Sequence, residues 1–132
     1  EDMLAVTGRL ESGVITNHLV NWLTPYKERT TVVTGEQGAF VADTLTGDLT
    51  FFANGSAPIE WDTIGTFRGV SEGDVTRFAI RKREPLRIEH EAFRDAVLGK
   101  ANNVVTMTEG LRTLQVVEAA LTSAETGQAV RL

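Results

Sequence analysis

His18 and His90 are the two imidazoles of this sequence. His90 is followed by Glu91, but no second histidine stands four residues on, so the helical zinc-protease pattern fails. It reads as a helix-surface residue. His18 lies in the middle of an apolar, strand-like run. It reads as a packed or interface histidine, with a ligand contact as the alternative. Glu84, Glu89, Glu91 and Asp95 cluster where a helix should begin, and carboxylates favour the positive end of a helix dipole. That structural reading outweighs general acid–base work. Glu118 falls within an apolar helical stretch and is expected to be buried, paired or capping a loop. The chain has no cysteine, which removes both disulfides and thiolate metal sites. No residue is assigned a catalytic or metal-binding role.

The segment Asn21 to Gly38, NWLTPYKERTTVVTGEQG, holds the other chemically interesting group. It turns at Thr24-Pro25 and presents Tyr26, Lys27 and Arg29 before an alternating Thr/Val strand. Two readings stand side by side. One is a hairpin with a solvated tip. The other is a substrate-facing turn, in which an aromatic ring and two cations meet a polar ligand bearing phosphate or carboxylate. Trp22 and Trp61 read as core or interface residues before ligand platforms. The pairs Gly35/Gly38 and the set Gly65/Gly69/Gly73 are not G-x-G-x-x-G and lack the strand–turn–helix setting that cradles a pyrophosphate. Asn54-Gly55-Ser56 matches a glycosylation sequon, but Asn54-Gly55 reads first as a two-residue hairpin turn.

These residues must be positioned by the elements around them. Strand-like runs cover Met3 to Leu10, Val14 to Leu23, Arg29 to Thr34, Ala39 to Asp43, Leu49 to Ala53 and Asp74 to Arg81. Ser12-Gly13 and Thr46-Gly47-Asp48 supply turns. Gly55 to Gly73 has no clear period and reads as a long loop or arm. The period then changes. Pro85 suits a first helical turn, Leu86, Phe93, Ala96 and Val97 follow helical spacing, and Gly99 is a natural stop. Thr106-Met107-Thr108-Glu109 is a capping box. Met107, Leu111, Leu114, Val117 and Leu121 form the stripe of a second helix that ends near Gly127. Ala129 to Leu132 is expected to add a short edge strand. Strands followed by helices indicate an α+β fold, a sheet with two C-terminal helices packed on one face. In Val14 to Leu23 both faces carry apolar groups. A sheet with one wet face should alternate cleanly, so the second face is expected to be covered, by another subunit.

A chain of 132 residues is expected to form a single domain. Its net charge of −5 comes from 13 basic and 18 acidic residues, which disfavours a nucleic-acid partner. The short cluster Arg81-Lys82-Arg83 reads as a solvated strand end. No apolar run approaches the roughly 20 residues of a membrane helix, so no membrane partner is expected. The absence of cysteine and of a signal-peptide pattern fits the cytoplasm. The sequence opens with Glu1-Asp2 and enters a strand at once, which suggests a piece of a longer protein.

Four segments in this order resemble the C-terminal domain of the glucose–fructose oxidoreductase/inositol dehydrogenase/MocA family. Gly13 to Leu23 is similar to its "sG-x-a" strand leading to "nWl-x-P". Pro25 to Gly38 is similar to "P-x-K-x-R-x-l-x-v-x-G-x-x-G", Glu84 to Phe93 to "eP-L-x-x-E-x-x-x-F", and Gly110 to Ser123 to "g-L-x-x-l-x-v-x-e-A-a-x-x-S". The resemblance implies an open mixed, mainly antiparallel sheet, one face packed by helices and the other used for homo-oligomerisation. It implies a parent enzyme whose N-terminal Rossmann domain binds NAD or NADP. The reaction would be hydride transfer to or from a sugar, inositol, sugar acid or sugar nucleotide. The family's "E-K-P" lysine and "D-x-x-x-H" pair are not in this sequence. The resemblance therefore implies the substrate-side and oligomerisation domain, with no cofactor site of its own. It brings the turn of Tyr26, Lys27 and Arg29 toward the substrate, with His18 as a further binding candidate. The alternative is a non-catalytic module that associates through its sheet.

The isolated chain is expected to bind neither NAD nor NADP in titration calorimetry. Micromolar affinity for either would overturn this division of labour between domains.

Overall fold

A computed structural model describes residues 2–55, 71–101 and 103–132. The chain divides into two units, Glu1–Thr24 with Arg83–Leu132, and Pro25–Lys82. Together they contain a two-stranded and a four-stranded antiparallel sheet and two C-terminal helices, an open-sheeted α+β fold.

In the first unit, β1 (Met3–Arg9) and β2 (Ile15–Asn21) form a hairpin. Its turn is closed by Leu10 N donating to Val14 O at 2.9 Å and by Gly13, whose φ of 88° suits glycine. Trp22 N donates to Asp2 O at the other end. The register sets Leu4 opposite Val20 and Val6 opposite His18. Along β1, burial alternates as strand geometry requires: Leu4, Val6 and Gly8 are half-buried, while Met3, Ala5, Thr7 and Arg9 are exposed. Beyond β2 the chain turns out of the ladder. The Asn21 carboxamide oxygen accepts from Leu23 N at 3.2 Å and Thr24 N at 3.1 Å, and Pro25 has no amide to donate. The strands are accordingly partitioned between two ladders.

The helices belong to the same unit. Helix α1 (Pro85–Val97) has Pro85 in its first turn and Glu84 as its N-cap. The Glu84 carboxylate accepts from Leu86 N and Arg87 N, which satisfies two amides that a helix start leaves open. The expected cluster of acids at this end reduces to that one residue: Glu91 pairs with Arg83 and Arg87, and Asp95 pairs with Arg94 near the other end. Gly99, at φ 67°, follows the C-terminus. Helix α2 (Met107–Thr126) opens on the expected capping box: Thr106 Oγ1 accepts from Glu109 N at 3.3 Å, and Glu109 accepts from Thr106 N at 2.8 Å. It ends at Gly127 in the left-handed conformation. Residues 129–132 join no ladder, so the edge strand expected there does not form. Glu118 is exposed, not buried.

The second unit is a meander of β3 (Thr30–Gly35), β4 (Gly38–Asp43), β5 (Asp48–Gly55) and β6 (Ser71–Phe78), in that spatial order. A two-residue turn joins β3 to β4. Gly38 lies at φ 149°, and a Cβ there would collide with the Phe52 carbonyl oxygen and the Phe51 ring. The β4–β5 turn is held by the Asp43 carboxylate, which accepts from Leu45 N at 2.8 Å and Thr46 N at 3.3 Å. The register puts Phe40 opposite Phe51, and their rings meet at 4.6 Å between centroids; Phe78 stacks on Phe40 at 6.2 Å.

Asn54-Gly55 is not a hairpin turn. Both residues continue β5, paired with Glu72 and Ser71 past an irregularity at Phe52/Asn54. The ladder and two further bonds outweigh the turn preference of the dipeptide: Asn54 N donates to Gln37 O, and Asn54 Nδ2 to Glu36 O at 2.8 Å. Gly73 faces this irregularity, where a Cβ would lie 2.9 Å from the Ala53 carbonyl oxygen. Residues 71–73 thus belong to β6, not to the long loop expected from Gly55 to Gly73. Trp61 and the remainder of that stretch lie outside the described residues. Among the described residues no apolar side chain is fully buried, and the backbone of Gly38 is the most enclosed position.

Loss of the α2 cap has a defined cost. Thr106→Ala should lower stability by about 1 kcal/mol, the scale of an N-cap hydroxyl, read from the midpoint of chemical denaturation. An unchanged midpoint would show that the capping box contributes nothing to folding.

Candidate functional site

Tyr26, Lys27 and Arg29 sit together on the connection that enters β3, within the Pro25–Lys82 unit. All three are exposed, Tyr26 to 71%. The connection is fastened at its end: Arg29 O accepts from Thr44 N at 3.0 Å and from Thr44 Oγ1 at 3.2 Å, extending the β3–β4 ladder by one residue. The Arg29 side chain is therefore carried on an ordered backbone. Among the described residues neither Lys27 nor Arg29 makes an ion pair, as is also true of Arg9, Arg81, Lys100, Arg112 and Arg131, whereas Arg77, Lys82, Arg83, Arg87 and Arg94 do. Two cations without counter-ions among the described residues, near an aromatic residue in sequence, can meet an anionic, ring-bearing ligand by charge-assisted hydrogen bonds and apolar contact.

His18 belongs to the other unit. It lies on β2 opposite Val6 and is exposed. It shares a face of the hairpin with Leu4, Val6 and Val20, as strand alternation and the register require.

Among the described residues four carboxylates are displaced from their ordinary values, all downward. Asp48 is held down to about 2 from 3.8, first by the hydrogen bond from Lys82, then by Thr46 and Arg77. Lys82 Nζ lies 2.9 Å and Arg77 Nη2 2.8 Å from its two oxygens. Glu91 is lowered by Arg83 and Arg87, Asp43 by the amides of Leu45 and Thr46, and Glu109 by the Thr106 amide and hydroxyl. Each shift favours the ionised form. A general acid or base working near neutrality needs the opposite displacement, so these four groups serve as hydrogen-bond acceptors that fix turns, a helix start and a strand pair.

The Asp48 cluster escaped sequence reading. Asp48 looked only like the end of a turn. Arg77 reaches it diagonally across β5–β6, because the register sets Arg77 opposite Thr50, two residues along. Nothing local in the sequence announces that pairing. A second unanticipated feature is an open groove of about 620 Å³ beside α1. Leu86, Ile88, His90, Phe93, Val104 and Val105 are among the residues that line it. His90, read as a surface residue, thus borders a concave surface. Among the described residues no group of His, Asp and Glu could hold a metal ion. Among them also, no helix is long and apolar enough to cross a membrane.

The fold is that of an α+β domain with open antiparallel sheets and two trailing helices. The family model described as "Oxidoreductase family, C-terminal alpha/beta domain" matches residues 1–132, the whole chain, and the protein belongs to that family. No individual curated protein and no solved structure matches the chain.

The Asp48 cluster sets an acid limb in stability. Its folded pKa is depressed, so its contribution is complete above the ordinary value of 3.8 and is lost as pH falls through about 2. Asp48→Asn should be less stable than the parent sequence at neutral pH, and the two should converge as pH falls through that window. Parallel denaturation curves at every pH would show that the ion pairs contribute nothing.

Proposed function

We propose that residues 1–132 form the substrate-side and oligomerisation domain of a cytoplasmic, two-domain NAD(P)-dependent oxidoreductase. Its reaction is hydride transfer between a nicotinamide and an alcohol carbon of a sugar, inositol, sugar acid or sugar nucleotide. The observation that carries this reading is the family match across the whole chain.

In this reading an N-terminal Rossmann domain of the parent binds the cofactor. Gly35 and Gly38 do not suit that duty: they are paired across a strand–strand hairpin, with no helix N-terminus to meet a pyrophosphate. The nicotinamide supplies or accepts the hydride when bound. The residues of this domain bind and orient the substrate. The Tyr26 ring packs on a sugar face, and Lys27 and Arg29 meet phosphate or carboxylate oxygens.

A second reading is a non-catalytic module that associates through its open sheet. It is favoured by one observation: Ile15 and Leu19, on the same face of β2, are 57% and 65% exposed. A strand–G-x-G-x-x-G–helix sequence elsewhere in the parent protein supports the enzyme reading, and its absence from the parent supports the module.

Two measurements test these assignments. In the full-length enzyme, Tyr26→Ala and Arg29→Ala should raise KM with little change in kcat, as expected when an interaction is equal in ground and transition states. Wild-type kinetics in both correctly folded variants would leave the connection a solvated turn. Association should depend on the exposed β2 face, so Leu19→Asp should shift sedimentation toward monomer while leaving the circular dichroism spectrum unchanged. A parent that is monomeric at high concentration without any substitution would remove the oligomerisation role.

A further inference from the structure

We draw no further inference here: the strongest candidate, the open apolar groove beside α1 lined by Leu86, Ile88, His90, Phe93, Val104 and Val105, carries nothing because nothing in the structure shows what covers it.

Discussion

Where β4 begins, the backbone of Gly38 is pressed against β5 so closely that the Phe52 carbonyl oxygen and the Phe51 ring occupy the space a side chain would need. The rest of the four-stranded sheet depends on this approach. It lets a two-residue turn join β3 to β4, and it fixes the register that sets Phe40 against Phe51. It also brings the β3–β4 turn within reach of Asn54, whose amide and carboxamide bond Gln37 and Glu36. The other end of the β3–β4 ladder is the Arg29–Thr44 contact, so the same register settles where the cationic connection enters the sheet.

Polar fasteners at the ends of elements do much of the remaining work. Asn21 turns the chain out of β2, Asp43 closes the β4–β5 turn, Glu84 starts α1 and Thr106 with Glu109 starts α2. Each satisfies backbone amides that secondary structure leaves open. Salt bridges supplement them. Those pairs are largely solvated, where an ion pair contributes little by itself. Asp48 and Glu91 differ from an isolated pair because each collects two cations.

The elements legible in the sequence are those whose signals are local. The Thr106 capping box, Pro85, Gly99 and Gly127 each act within one turn of their own position, and all mark the helix boundaries they suggest. The strands of the meander were likewise readable to within a few residues. Asn54-Gly55 was misread because its turn preference is local, while the bonds that overrule it come from Glu36, Gln37 and β6. The same reason hid the Asp48–Arg77 contact, which depends on register. For the candidate site, the sequence supplied the residue types of Tyr26, Lys27 and Arg29 and the resemblance supplied the family. That Lys27 and Arg29 lack acidic partners among the described residues, while Arg77, Lys82, Arg83, Arg87 and Arg94 have them, emerges only from the fold.

The meander also has a kinetic meaning. β3, β4 and β5 follow one another through connections of two and four residues, whereas fifteen separate β5 from β6. Loop closure costs about 0.6 kcal/mol more for each doubling of length, and hairpins close in roughly 1–10 μs. The contacts among the first three strands are therefore shorter in sequence, and cheaper to close, than those that bring in β6. The order of closure costs thus favours pairing of β3, β4 and β5 ahead of the more distant β6.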